Sequence, residues 1–322
     1  MKHYLVTGGA GFIGSHLIRH LLKSEPCTVT CIDNFDPFYP RPIKELNIRD
    51  FSSSPSFRLL DLDVGKTPAA EICTLIPEPV SAIIHLGAKA GVRPSIENPL
   101  SYQEANVMGL QNMLDFCREK KVKQFVFASS SSVYGINEHF PWKEDEQLMP
   151  ISPYAMTKLA GEMLGHVYSK LFGIRFIALR FFTVYGPGQR PDLAIHKFTK
   201  AILNNKPIPM YGDGSTSRDY TFIDDIVQGI GGAVKYDKSD FEVINLGNNY
   251  PVSLATLIQN IEKAVGKKAM IEQLPEQPGD VPRTFADISK AKKLLGYNPK
   301  IQLEEGLKKF AEWFNENKAL LS

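Results

Sequence analysis

Leu5-Val6-Thr7-Gly8-Gly9-Ala10-Gly11-Phe12-Ile13-Gly14 is the stretch that decides the fold. A short apolar run, residues 4–6, reads as a strand. Glycines follow at positions 8, 11 and 14, and residues 12–23 carry the helical spacing of Ile13, Leu17, Leu21 and Leu22. A strand that breaks into a glycine turn and opens a helix gathers backbone N–H groups and the positive end of the helix dipole around one point, which suits a pyrophosphate. Glycine permits the tight turn and lets a ligand approach the backbone. Alone, the pattern also fits a purely structural turn. The second signal is the β-rich run 28–32 closed by Asp33. A carboxylate about twenty residues after the turn accepts a hydrogen bond from a ribose 2′-hydroxyl and repels a 2′-phosphate, so the pair reads as a site for NAD rather than NADP.

Working outward, residues 57–60 form another strand, closed by Asp61, and 82–86 and 124–128 are short, nearly continuous apolar runs. Strands covered by helices on both faces read this way. Long helices are expected near 100–119 and 153–171, and one more strand over 175–181. The alternation predicts an α/β protein with a doubly wound parallel (Rossmann) sheet. Residues 1–181 are expected to form the NAD-binding domain. After Phe182 the texture changes, with Tyr185-Gly186-Pro187-Gly188 and Tyr211-Gly212-Asp213-Gly214 followed by short strands at 243–246 and 270–273. Residues 182–322 are expected to be mainly a smaller α/β substrate-binding region, with segments such as 222–234 returning to the sheet.

Composition narrows the function classes. Hydrophobic residues make up 43% and charged residues 22%, ordinary for a soluble globular protein. A net charge of +2 sets up no field for a polyanion, so nucleic acid is not an expected partner. No apolar run approaches the ~18 residues of a membrane span, and the apolar start is too short for a signal peptide. The four cysteines, Cys27, Cys31, Cys73 and Cys117, make no Cys-x-x-Cys pair and read as reduced thiols. A cytoplasmic protein without a membrane partner or a metal site is expected.

Chemistry enters with Tyr154 and Lys158, spaced i, i+4 and therefore on one face of a helix. A tyrosine acting as a base near neutrality needs a lowered pKa, which a nearby ammonium and a cofactor's positive charge favour. Upstream, Ser129-Ser130-Ser131-Ser132-Val133-Tyr134-Gly135 follows a strand, so hydroxyls stand at the carboxyl end where open α/β sheets bind ligands. The alternative for the serine run is a flexible polar loop.

The glycine signature, the serine run with Val133-Tyr134-Gly135, Tyr154-x-x-x-Lys158 and Arg218-Asp219-Tyr220 occur in the order found in nucleotide-sugar epimerases and dehydratases. The chain resembles these extended short-chain dehydrogenases/reductases over nearly its whole length. The resemblance implies that Tyr154 takes the proton from the sugar O4 while C4 is oxidised by NAD, that Ser130 bridges sugar and tyrosine, and that Lys158 holds the nicotinamide ribose. On the cofactor side it implies Gly8, Gly11, Phe12, Ile13 and Gly14; Asp33 and Asn34; Asp61 and Leu62; Leu86, Ala88 and Lys89; and Asn106 and Ser129. Asp61 could meet the adenine or equally cap a helix. Relatives pair through the two long helices, so a homodimer is expected.

Which reaction is run turns on what is absent. Sugar 4,6-dehydratases carry an acid pair just before Val-Tyr-Gly, and uronate decarboxylases a glutamate at the place of Ser132; this chain has only serine there. Reversible C4 oxidation is the simplest chemistry left. Phe181-Phe182-Thr183-Val184-Tyr185-Gly186-Pro187-Gly188-Gln189-Arg190-Pro191-Asp192 and Gly91-Val92-Arg93-Pro94-Ser95-Ile96 resemble UDP-glucuronate 4-epimerases. Galactose-type epimerases usually have Asn at the place of Thr183. The hydroxyls of Ser131, Ser132 and Thr183, or the guanidinium of Arg190 or Arg93, could receive the substrate carboxylate. Arg190 could instead make a loop salt bridge or a diphosphate contact. Arg218 resembles the family's diphosphate-binding arginine, and Gln277, Asp280 and Arg283 lie where relatives contact the nucleotide, with Asp280 either a ribose partner or a turn former. The competing readings are a UDP-glucose or UDP-N-acetylglucosamine 4-epimerase, a UDP-glucuronate decarboxylase and, from another class, a non-catalytic NAD-binding module.

Overall fold

A computed structural model of the chain describes residues 1–275 and 281–321. In chain order its strands are β1 (Lys2–Thr7), β2 (Cys27–Asp33), β3 (Phe57–Asp61), β4 (Ala82–His85), β5 (Gln124–Ser130), β6 (Arg175–Phe181), β7 (Thr183–Tyr185), β8 (Ile208–Tyr211), β9 (Ser217–Phe222), β10 (Phe241–Leu246), β11 (Pro251–Ser253) and β12 (Ile271–Leu274). Seven of them form one parallel sheet in the order β10-β6-β5-β4-β1-β2-β3. The run from β3 to β6 is the doubly wound dinucleotide-binding order, extended by β10. The order reverses between β1 and β4, so the loops leaving these two strands diverge and open a crevice at their carboxyl ends.

The near-continuous apolar runs are explained by two cores. β1 sends Tyr4 and Val6 to one side and Leu5 to the other; β5 sends Val126 and Ala128 to the first and Phe125 and Phe127 to the second. All are buried. Strict alternation with both faces covered leaves no polar face to signal the period.

Helix Pro153–Phe172 carries Tyr154 and Lys158. The Ser152 hydroxyl caps it by accepting from Ala155 N (3.2 Å), and Gly173 ends it in the left-handed conformation. Its close seat on the sheet needs Gly165, where a Cβ would stand 2.1 Å from the Phe176 ring. The long helix expected at 100–119 is one helical run in three parts: Pro99–Tyr102, a π turn at Gln103–Met108 and Gly109–Glu119.

After β6 the chain does not stay apart from the sheet. Helix Ile223–Lys235 packs on β5, β6 and helix Phe12–Ser24, and the next strand, β10, pairs with β6 as the seventh strand. The remaining strands form two small sheets, β11-β9-β7 and β12-β8. Among the described residues no helix is long and apolar enough to cross a membrane, and no cluster of His, Cys, Asp and Glu is arranged to hold a metal ion.

Candidate active site

A cavity of about 770 Å³ opens in the crevice. The glycine turn (Gly8, Gly11, Phe12, Ile13, Gly14), the loop after β4 (Leu86, Ala88, Lys89), the serines Ser129, Ser130, Ser131 and Ser132, the helix pair Tyr154 and Lys158, and Thr183 and Arg190 all line it. Residues as far apart in sequence as Gly8 and Arg190 thus converge because the carboxyl ends of β1, β4, β5 and β6 lie side by side.

The turn fits a dinucleotide. Gly11 stands at the N-cap of helix Phe12–Ser24, and no side chain caps its first N–H groups. A Cβ on Gly14 would lie 2.3 Å from the Gly8 carbonyl oxygen, so a side chain there would displace the turn. Asp33 stands behind it: its carboxylate accepts from Ala10 N (3.0 Å) and Phe35 N (2.9 Å), and burial pushes its pKa up.

Other expected cofactor residues are placed differently. Asn34 donates to Asp63 (3.0 Å), and Asp61 pairs with Arg41 at 3.1 Å on the surface. Neither these two nor Leu62 lines the cavity. Asn106, at the π turn, clamps the loop after β4: its oxygen accepts from Lys89 N (2.8 Å) and its amide donates to Lys89 O (3.0 Å) and Thr157 Oγ1 (2.9 Å). It stands behind the wall and shapes it. The sequence reading missed Asp36, Phe38, Tyr39 and Lys44, which line the cavity from the loop after β2 and the helix Arg41–Ile48. Lys44 donates to the Asp36 carbonyl (2.8 Å) over the Tyr39 ring, and burial lowers its pKa. Their position just past Asp33, on the crevice side of the sheet, was the available signal.

At the catalytic centre Lys158 is buried and donates to the Ala128 carbonyl (2.8 Å). Burial brings its pKa down to about 7. Tyr154 has its pKa raised by burial, against the lowering influence of Ser130 and then Arg190. The Lys158 Nζ stands 6.0 Å from the Tyr154 ring centre, and burial lowers its pKa. Ser130 Oγ also accepts from Ser132 N (3.2 Å). Ser129 turns its hydroxyl the other way, to Glu162 Oε1 at 2.5 Å. Beneath Lys158, His85 is held to Thr7 Oγ1 (2.9 Å), with its pKa pushed down to about 3 by burial and then by Lys158.

On the sugar side Thr183 opens β7 at the cavity wall. Arg190 is gripped by both Asp192 oxygens, Nε at 2.9 Å and the terminal nitrogen at 2.6 Å, over the Phe38 ring. Arg93 is exposed, stacks on Tyr211 and does not line the cavity. Arg218, which donates to the Ser217 carbonyl, and Arg283, over Phe140 and Phe285, also stand outside it, bridged through Ser217. Gln277 and Asp280 lie outside the described residues.

Comparison with known proteins gives a consistent picture. The profile of the GDP-mannose 4,6 dehydratase family matches residues 5–310. An uncharacterized protein of Methanocaldococcus jannaschii is 47% identical over 98% of this chain and 97% of its own length. A UDP-glucuronate 4-epimerase of Thermodesulfobacterium geofontis is 42% identical over 100% and 98%. Among solved structures, the UDP-glucuronic acid 4-epimerase of Bacillus cereus, in complex with UDP-glucuronic acid and NAD, superposes with a TM-score of 0.91 at 39% identity, covering 98% of this chain and 99% of that one. With a full-length family match, a doubly wound sheet and Ser130, Tyr154 and Lys158 gathered at its switch point, this chain belongs to the extended short-chain dehydrogenase/reductase family of nucleotide-sugar enzymes, within the GDP-mannose 4,6 dehydratase group.

Proposed function

We infer that this protein is an NAD-dependent UDP-sugar 4-epimerase and that it interconverts UDP-glucuronate and UDP-galacturonate. The observation that carries the reading is the cavity wall itself. Ser130, Tyr154 and Lys158 stand together, and the turn after β5 presents Ser131 and Ser132 where water elimination or decarboxylation would call for an acid. The glycine turn, with its uncapped helix start and Asp33 behind it, fits NAD, which supplies reversible hydride exchange at C4 when bound.

The chain's own part is proton transfer and orientation. Tyr154 takes the proton from O4, with Ser130 beside it to bridge phenol and sugar. Lys158, fixed by the Ala128 carbonyl, would hold the ribose of the cofactor. Oxidation at C4 makes a uronate a β-keto acid, which loses CO2 fastest when its C5–carboxylate bond aligns with the carbonyl π system. Neutral donors at Ser131, Ser132 and Thr183 are suited to hold the carboxylate away from that alignment. Arg190 is already forked onto Asp192, so it serves this reading as a positioned neighbour of Tyr154 rather than as a free anion receptor.

A homodimer and a cytosolic setting complete the proposal. Met156, Met163, Val167 and Leu171 are exposed at helical spacing along the catalytic helix, and Leu100 and Met108 along the neighbouring helical run. A second copy pairing through the same two helices would cover this face isologously. The described cysteines are unpaired, as suits a reducing compartment. Incubation with UDP-glucuronate and, separately, UDP-galactose, followed by NMR for epimers and CO2, tests the substrate: epimerisation of UDP-galactose alone would overturn the uronate assignment.

A further inference from the structure

Behind the serine turn lies a buried ion pair that the proposed chemistry does not use. Glu162 is completely buried, and Arg180 keeps 3% of its side chain exposed. Arg180 donates to both Glu162 oxygens, from Nε at 2.9 Å and a terminal nitrogen at 2.8 Å. Each partner has a second contact. Glu162 accepts from Ser129 Oγ at 2.5 Å, and Arg180 donates to the Tyr134 hydroxyl at 2.9 Å. Tyr134 in turn donates to Asn245 Oδ1 (2.8 Å), whose amide is tied to the Trp142 and Asp287 carbonyls. Ser129 and Tyr134 are the two ends of one short segment, and between them stand Ser130, Ser131 and Ser132, which line the cavity with Ser129.

We propose that the Glu162–Arg180 pair positions the Ser130–Ser132 hydroxyls by clamping both ends of the segment that carries them, and so sets whether a bound uronate is epimerised or loses its carboxylate. The inference rests on the UDP-glucuronate reading.

Three features support positioning over plain stability. A buried ion pair is a weak source of stability, since desolvation offsets its attraction, and its better-attested use is to fix one arrangement. The attachments are placed for that purpose: Ser129 and Arg180 face each other in the β5–β6 register, and Glu162 lies one helical turn beyond Lys158. The pair therefore ties the serine turn to the helix that carries Tyr154 and Lys158. Distances also matter chemically, because small displacements of positioning groups strongly affect a reacting geometry. At the 4-keto stage, loss of CO2 breaks the C5–C6 bond and leaves its electron pair on C5 as the C4 enolate. A solvent proton added at C5 completes a 4-keto pentose. Hydroxyls that drift from the carboxylate leave this route open.

Tyr134→Phe and Ser129→Ala test the clamp from its two ends, each removing one hydroxyl and little volume. The measurements are the ratio of pentose plus CO2 to epimer from UDP-glucuronate, bound NAD by absorbance, and the thermal midpoint. The expected result is a ratio raised about three- to tenfold in each variant, the factor that loss of one net hydrogen bond gives, with NAD content retained in Tyr134→Phe. A lower midpoint with an unchanged ratio in both folded variants makes the pair structural only and overturns the proposal. If one variant fails to fold, the other decides. If the parent epimerises only neutral UDP-hexoses, the uronate reading falls by itself. The clamp is then read from kcat against KM on that hexose, and an unchanged kcat in both variants overturns it.

Discussion

His85 offers a test of the site's electrostatics that needs no substrate. The imidazole is buried under Lys158 and its pKa falls from the ordinary 6.5 to about 3. A lowered histidine pKa means that the folded state refuses a proton which the unfolded chain accepts. Stability linked to this group is therefore intact above pH 6.5, falls as pH drops below 6.5, and is fully lost near pH 3. At pH 5 the unfolded chain gains about 1.5 units of protonation free energy that the folded state does not, or about 2 kcal/mol at 1.36 kcal/mol per unit. His85→Asn keeps a polar atom near the Thr7 hydroxyl and removes the titration. The variant is expected to be less stable at pH 7.5, since a well-packed ring is lost. The gap between parent and variant should then close by about 2 kcal/mol on going to pH 5. Urea unfolding of both proteins at the two pH values gives this difference directly, and other titrating groups, Asp219 included, cancel between them. A gap that stays constant would refute the reasoning and place His85 in contact with water or an anion.

Three further outcomes follow from the site. Purified protein should carry NAD without its addition, and Tyr154→Phe should keep that NAD while losing at least about 10²-fold in turnover, the range for removal of a general base; near-parental turnover would demand another proton acceptor. Thr183→Val keeps shape and deletes a donor worth about 0.5–1.5 kcal/mol to a neutral acceptor and more to a carboxylate, so epimerisation of UDP-glucuronate should slow while pentose and CO2 grow in the NMR assay. Light scattering at micromolar concentration should give twice the 36.0 kDa chain mass, and Met163→Glu with Val167→Glu should bring it to one.

The sheet was legible because its strands are short apolar runs punctuated by glycine, aspartate and serine at their carboxyl ends, where function needs them. Gly8, Asp33 and Ser130 mark strand ends and site together. What stayed hidden has a common cause. The strand at 243–246 was legible, but β10 carries Glu242 and Asn245, so nothing marked it as a member of the sheet covered on both faces. Asn106 ties the loop after β4 to the catalytic helix through Lys89 and Thr157, contacts across 17 and 51 residues that no spacing predicts. Glu162 and Arg180 look like ordinary surface charges on a helix and a strand; only the register of β5 with β6 brings them together inside.

The electrostatic balance assigns the burden of proton transfer more narrowly than the motif alone. In a Tyr-x-x-x-Lys pair the lysine is the obvious source of the field that makes tyrosine acidic. Here Lys158 is itself pushed to about 7 by burial, and the influences that lower Tyr154 are Ser130 and Arg190. Arg190 shares its charge with Asp192 in a bidentate fork, which weakens its pull at a distance. When NAD is bound, its nicotinamide cation would add a positive charge that favours the phenolate. A base armed only when the oxidised cofactor is in place would leave the sugar untouched otherwise. The pH profile of cofactor-loaded protein should then titrate well below that of the same tyrosine in cofactor-free protein, with phenol absorbance difference spectra as the readout and Tyr154→Phe as the blank. Equal midpoints in the two forms would return the controlling role to Lys158.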